Sequence, residues 1–357
     1  MKPVHGVVDP SENGHNPLSN TQAPKPSLGR IVFIGAVHEA EAALAALLES
    51  PIEVVEVITV PEDSQPSGRV DLASLASAHK ASLRRCADLN APETLDHLRS
   101  LAPDLMVVVG WNRLLGPEVL SIPLRGCVGF HASLLPQNRG RAPVNWSIIR
   151  GETKTGNTMM YLDAGTDTGD IIDQLEVSIA QIDTCYTVYQ KVAQAGATML
   201  IGHLPGLMDG SAPRRRQASE PGEILLKRTP SMGITDWNRP ATSVHNWVRG
   251  LTAPYPGAFS FLGGERLMLW ESRDPCDEPV SGAPGEILAI DDLGIVVAAN
   301  PGSVRITVVS ETGAAPQGAA AWASSGAKLQ GLRFDPVDPI TSRWALGLGP
   351  APLKRPI

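Results

Sequence analysis

The run Leu105-Met106-Val107-Val108-Val109 holds five apolar residues, three of them β-branched, with no polar residue in alternation. A strand of this kind is buried on both faces and needs helices packed above and below it. Arg30-Ile31-Val32-Phe33-Ile34-Gly35 has the same character and ends in glycine. Around these runs helical and strand patterns alternate. Ala40–Leu48 reads as a helix, Ile52–Val60 as a strand, and Asp71–His79 and Pro92–Ser100 as helices. Strands alternating with helices require crossover connections and a parallel sheet. The expected fold is therefore α/β, a doubly wound parallel sheet whose ligands bind outside the carboxyl ends of the strands.

The polar, Pro/Asn/Ser/Gly-rich residues 1–29 have no apolar period and read as a disordered tail. Residues 30–210 form the expected first domain, closed by a helical stretch over Tyr189–Leu204. An Arg/Ser/Pro linker covers 211–223, including Arg214-Arg215-Arg216, and reads as a solvated connection. A second, smaller β-rich and barrel-like domain is expected over 224–312. It contains one helix, Ala241–Leu251, and short strands at Ala258–Leu262, Arg266–Trp270, Gly285–Ile290, Gly294–Ala298 and Val304–Val309. Residues 313–357 are Ala/Gly/Ser-rich, apolar only at Leu329–Phe334, and read as a loosely ordered tail.

Several function classes are disfavoured. The net charge of -7 argues against a nucleic-acid partner, because phosphate contacts need a concentrated basic face. No apolar run is long enough to span a bilayer, and the opening residues lack the order of a secretory leader, so the expected location is the cytosol. The four scattered cysteines, Cys86, Cys127, Cys185 and Cys276, form no CxxC pair and read as free thiols. After the first strand the text is Gly35-Ala36-Val37-His38-Glu39-Ala40, which is not a dinucleotide fingerprint. No residues stand at metal-ligand spacing, and no metal is expected.

Polar chemistry concentrates in two segments beside apolar runs. The first is Gly129-Phe130-His131-Ala132-Ser133-Leu134-Leu135-Pro136-Gln137-Asn138-Arg139-Gly140, which continues to Trp146. The second is Tyr161-Leu162-Asp163-Ala164-Gly165-Thr166-Asp167-Thr168-Gly169-Asp170. An imidazole and a carboxylate on adjacent loops suit acid–base work. By themselves, though, a histidine at a strand end is more often structural, and an aspartate in such a loop more often forms a turn.

Residues 126–170 resemble the folate-dependent formyltransferase family, whose motif is Asn-x-His, then Ser-Leu-Leu-Pro-x-x-Arg-Gly, with an aspartate roughly 36 residues past the histidine. His131, the Ser133–Gly140 loop and Asp167 match these parts. The resemblance extends back to Val109-Gly110-Trp111-Asn112-Arg113-Leu114-Leu115. Forward, it reaches Lys227-Arg228-Thr229-Pro230 and Pro254-Tyr255-Pro256-Gly257. It implies an N10-formyltetrahydrofolate cosubstrate, an amine acceptor, His131 stabilising the developing oxyanion, and Asp167 orienting the ring and moving protons. It further implies a pteridine pocket formed by the main chain of Arg113, Leu114 and Leu115 and by the loop of Asp163, Ala164, Gly165 and Thr166. Trp111, Arg139, Arg141 and Asn145 are the candidate acceptor-binding residues, the two arginines suiting a pyrophosphate or carboxylate.

One position departs from the family: its asparagine falls on Gly129. Losing one such donor costs on the order of 10²–10³ in rate. Three explanations stay open. Asn112 or Asn145 replaces the donor, the acceptor or a water fills the gap, or the protein is a weakened or repurposed homologue.

The expected acceptor is a small-molecule amine, either an amino-sugar nucleotide or an amino-acid-derived amine. Where tRNA-directed members of the family carry a long basic insertion, this chain has the short Pro61-Glu62-Asp63-Ser64-Gln65-Pro66-Ser67-Gly68. Methionyl-tRNA is the alternative acceptor, and a folate-binding or formate-releasing protein is the reading from a different class.

Overall fold

The computed structural model describes residues 28–64, 66–111, 113–218, 224–324 and 329–356. Almost all of the expected N-terminal tail, residue Asn112 and the last part of the expected linker lie outside the described residues. The first domain runs β1 (Arg30–Gly35), α1 (His38–Leu48), β2 (Glu53–Thr59), α2 (Ala73–Ala78), β3 (Leu83–Arg85), α3 (Pro92–Leu101) and β4 (Leu105–Val109). It continues with α4 (Pro117–Ser121), β5 (Cys127–His131), α5 (Pro143–Ile149), β6 (Lys154–Tyr161), β7 (Ile171–Ser178) and α6 (Cys185–Asp209). The sheet order is β3-β2-β1-β4-β5-β6-β7. Its first five strands are parallel, as expected, and β6 and β7 return antiparallel along one edge.

The alternation of each central strand explains the two helical layers. Ile31 and Phe33 of β1, with Leu105, Val107 and Val109 of β4, pack with α1 and α6. Val32, Ile34, Met106 and Val108 point the other way, against Leu95 and Leu98 of α3 and Val119 of α4. All five residues of β4 are buried, so the apolar run is covered on both faces. The strand order reverses beside β1, and the carboxyl ends of β1, β4 and β5 open a crevice there. The long α6 starts with a reciprocal cap between Thr184 and Thr187 and ends at Gly210, whose φ of 85° takes the left-handed form that stops a helix.

The second domain has α7 (Ala241–Leu251) packed on an antiparallel sheet of β8 (Ala258–Leu262), β9 (Glu265–Cys276), β10 (Ile287–Asp291), β11 (Gly294–Ala298) and β12 (Ser303–Glu311). The sheet order is β10-β11-β12-β9-β8, and β13 (Gln317–Gly318) pairs with β12 ahead of α8 (Ala319–Ser324). Among the described residues no helix is long and apolar enough to cross a membrane. Cys86, Cys127, Cys185 and Cys276 are all free thiols.

The C-terminal residues differ from the loose tail expected for 313–357. Residues 332–335 form a strap across the two edge strands of the second sheet. Phe334 N–H donates to Gly285 O (2.9 Å), Asp335 N–H to Phe261 O (2.8 Å), and Ile287 N–H to Leu332 O (2.9 Å). Phe334 is fully buried and stacks on Trp237 at 5.1 Å. Beyond it α9 (Pro339–Ala345) is capped by Asp338, and Trp344 packs into the same core. The sequence hides this strap because its fastening is mostly backbone hydrogen bonding, with a single large anchor. Phe334→Ala is expected to cost about 3–5 kcal/mol, as aromatic truncations in cores do, measured by chemical denaturation of the second domain's transition.

Candidate functional site

His131 is the last residue of β5, so the parallel sheet delivers it to the crevice at the carboxyl ends of the strands. Its ring is 7% exposed. Nε2 lies 2.8 Å from Asn138 O, and a carbonyl only accepts, so Nε2 carries the proton in this bond. Nδ1 thereby faces Oδ1 of Asp167 at 3.5 Å, an ion-pair distance when the ring is protonated. The loop after His131 is fixed from below. Thr158 Oγ1 donates to Ser133 O (2.7 Å) and accepts from Leu135 N–H (3.0 Å), while Ser133 Oγ donates to Gln137 O (2.7 Å).

Asp167 sits in the loop between β6 and β7 with a left-handed φ of 54°. Its Oδ2 accepts from Gly140 N–H at 2.9 Å, which joins this loop to the one after His131. Asp163 shapes the same loop: its Oδ1 accepts from Gly165 N–H (3.0 Å) and Thr168 Oγ1 (2.7 Å). Gln217 donates to Asp167 O (3.0 Å) and Gly169 O (2.8 Å) from the connection between the domains.

These loops border a cavity of about 850 Å³ that also reaches the second domain. His131 and Asp167 line it together with Trp111, Arg113, Leu114 and Leu115. Asp163, Gly165, Thr166 and Arg141 line it as well. Ala164 does not, although its neighbours on both sides do. Two expected acceptor-binding residues lie elsewhere. Arg139 is buried and donates through Nε (3.2 Å) and Nη2 (2.5 Å) to Gln217 Oε1, so it braces the loops from behind. Asn145 is fully buried in α5. Its Nδ2 donates to Gly250 O (2.7 Å) and its Oδ1 accepts from Tyr189 OH (3.3 Å). Of the two asparagines expected as replacement donors, Asn145 spends its amide on domain packing, and Asn112 lies outside the described residues.

The space beside Gly129 is filled by an apolar side chain. A Cβ on Gly129 would lie 2.7 Å from Leu162 Cδ2 and 3.2 Å from its Cγ. No side-chain donor on this strand position takes the place of the family's asparagine, and Leu162 packs where such a side chain would begin.

Sequence reasoning passed over several cavity residues. Arg228 is clamped between the rings of Trp146 and Trp247, each 4.7 Å from its guanidinium carbon. It donates to Met232 O (2.6 Å) and Ala345 O (3.0 Å), and burial lowers its pKa to about 9. Glu39, in the first turn of α1, lines the opposite wall near the stacked pair Tyr189 and Tyr255. Burial pushes its carboxyl from the ordinary 4.5 up to about 7. Among the described residues, no group of three or more His, Cys, Asp or Glu is placed to hold a metal ion.

Residues 29–204 match the model of a family described as formyl transferase, and residues 227–326 match that of the formyl transferase C-terminal domain. The chain is 37% identical over 287 residues to the methionyl-tRNA formyltransferase of Geobacter sulfurreducens, covering 78% of this chain and 87% of that one. It is 36% identical to the enzyme of the same name from Acetivibrio thermocellus, covering 78% and 91%. The N-formyltransferase of Helicobacter canadensis, solved with folinic acid and dTDP-3-aminofucose, is similar in fold: TM-score 0.61, 16% identity, 77% of this chain and 98% of that one. HypX of Aquifex aeolicus, solved with tetrahydrofolic acid, superposes with a TM-score of 0.59 at 20% identity, covering 88% of this chain. This chain spans half the length of HypX.

Two measurements check this geometry. Gly129→Asn overpacks against Leu162 and is expected to lower stability by about 1–3 kcal/mol, with part of the loss recovered when Leu162→Ala is added. Denaturation midpoints of the two single variants and the double variant read the coupling. For Glu39, the folded chain keeps a proton that the unfolded chain has released, so its contribution to stability falls as pH rises from about 4.5 to about 7. Glu39→Gln is expected to flatten that part of the stability profile.

Proposed function

This chain belongs to the formyl transferase family, and from that premise we propose that it carries the formyl group of N10-formyltetrahydrofolate to a primary amine in the cavity above β1, β4 and β5. The observation that supports this reading most is the His131–Asp167 pair, 3.5 Å apart and both lining the cavity.

The cavity suits the folate cosubstrate. Its volume falls within the usual range for small-ligand sites, roughly 300–1,000 Å³. Trp111, Leu115 and Leu162 supply an apolar wall for a flat ring system. Arg113, Leu114 and Leu115 border the cavity, and their main chain is the part that offers hydrogen bonds to a heterocycle's edge. The loop of Asp163, Gly165 and Thr166 offers further peptide groups. The bound cosubstrate supplies an activated one-carbon unit at the oxidation level of formate.

The protein's part is to manage charge and protons. An amine attacking a carbonyl carbon leaves negative charge on the oxygen and an excess proton on the nitrogen. His131 has Nε2–H fixed on Asn138 O, so Nδ1, on the side of Asp167, is the nitrogen left to take up the amine's proton and donate it to the developing oxyanion. Asp167, held at Oδ2 by Gly140 N–H, keeps Oδ1 for the proton shed by the amine or for the ring. With Leu162 packed beside Gly129, oxyanion stabilisation rests more heavily on His131 than it does where an asparagine side chain shares the task.

Methionyl-tRNA is the acceptor favoured by similarity, since the relatives bearing that activity are matched through both domains and along most of their length. A small-molecule amine is the second reading, favoured by the short acidic loop after β2. Glu62 and Asp63 occupy that loop, whose Ser67 and Gly68 line the cavity. Carboxyls repel a phosphate backbone. The deciding experiment incubates the purified protein with N10-formyltetrahydrofolate and, separately, initiator methionyl-tRNA, amino-sugar nucleotides and hydroxyornithine. Formylmethionyl-tRNA is expected, and His131→Ala should reduce its formation at least about 10²-fold. A formylated small amine without formylmethionyl-tRNA overturns the tRNA reading. Formate release without any formylated acceptor overturns transfer itself.

A further inference from the structure

We infer that Gln217, on the connection between the two domains, is a positioning residue that holds Asp167 in the conformation facing His131. Its side chain is 9% exposed and makes four hydrogen bonds. Oε1 accepts from Nε and Nη2 of Arg139, and Nε2 donates to the carbonyls of Asp167 and Gly169. The guanidinium of Arg139 has only donors, so it dictates which end of the amide faces it. The amide NH₂ is thereby aimed at the two loop carbonyls, and no rotated amide satisfies both sides.

Those carbonyls belong to Asp167, whose left-handed backbone is less favourable than the ordinary regions for a residue with a Cβ, and to Gly169 two positions on. Gln217 supports that backbone from outside the loop. The connection is itself stitched down on both sides. Ile171 and Arg215 exchange backbone hydrogen bonds of 2.8 and 2.9 Å, and further along Leu225 N–H donates to Arg139 O at 2.7 Å. Arg141 N–H returns to Leu225 O at 3.1 Å. Gln217 is thus the side chain at which the Asp167 loop, the loop after His131 and the interdomain connection meet. A segment with the composition of a solvated tether lies behind the loops that border the cavity.

The inference rests on the reading of His131 and Asp167 as the proton-handling pair. The test uses the full chain and follows tetrahydrofolate formation from N10-formyltetrahydrofolate, with initiator methionyl-tRNA as acceptor or, where that gives no product, the small amine that does. Gln217→Ala removes every contact, whereas Gln217→Glu keeps an acceptor for Arg139 and removes both N–H donors. Both are expected to lower kcat by about 10-fold or more with KM for N10-formyltetrahydrofolate changed less than about twofold. The thermal midpoint of Gln217→Glu should stay nearer that of the parent chain than that of Gln217→Ala, which leaves buried Arg139 without its acceptor, and the pH profile of kcat of both should move in the direction seen for Asp167→Asn. Parent-like turnover in Gln217→Glu beside an impaired Asp167→Asn overturns the role of Gln217 alone. So does a loss of kcat that tracks a lowered thermal midpoint with an unmoved pH profile. An Asp167→Asn chain with unaltered kcat and pH profile overturns the reading of the pair, and this inference with it.

Discussion

The hydrogen bond from Gly140 N–H to Oδ2 of Asp167 joins the two loops on which the site depends. One loop leaves a parallel strand at His131, and the other connects the antiparallel strands β6 and β7. The pairing of β5 with β6, His131 opposite Thr158, fixes the roots of these loops, but their approach at the site still has to be set. The bond sets it by spending one carboxylate oxygen on the backbone and leaving the other near the imidazole. Gly140 can donate because its φ of 106° and missing Cβ let the chain run against Leu225, whose N would lie 2.8 Å from an added Cβ. Charge-assisted bonds of this kind are stronger than neutral ones, so the bond also limits how far either loop can drift.

What could be read from the sequence follows from how local each signal is. The β4 run states its double burial in its own five residues, and the Ser133–Gly140 loop with Asp167 is recognisable from spacing. Arg139 and Asn145 show the limit. Both are polar residues in or next to the motif, which suggests ligand contact. Yet Arg139 lies behind the loop on Gln217, and Asn145 ties α5 to α7 and to Tyr189. The residue type was informative, whereas the direction of each side chain depends on segments about 80 and 105 positions away. Gln217 and Arg228 were missed for the same reason. A lone glutamine in a polar stretch has no periodicity, and the tryptophans that clamp Arg228 come from separate helices.

Arg228 joins the two domains beside an apolar seam in which Trp146 and Ile149 of α5 pack into the core of the second domain. Its guanidinium is stacked by Trp146 of the first domain and Trp247 of the second, and it donates to Ala345 in the C-terminal helix. Stacking suits a planar cation that stays charged while losing water, a role lysine fills poorly. The tail expected to be loose is in this way tied to the cavity wall as well as to the second sheet. The seating of the second domain and the shape of the cavity are therefore mechanically linked.

Gly129 and Leu162 bear on chemistry in a way that neither does alone. A glycine by itself would leave room for a water or for a donor on the acceptor. With Leu162 Cδ2 occupying that room, the replacement is apolar and already packed. Water excluded from beside a reacting carbonyl raises the effective strength of the charges that remain, because the local dielectric falls. On the proposed reading, an apolar wall where the family has an asparagine shifts the burden to His131 and to whatever fixes Asp167. On that reading the placing of Asp167 matters more in this chain than where an amide shares the load, and Asp167 is held by Gly140 on one side and Gln217 on the other.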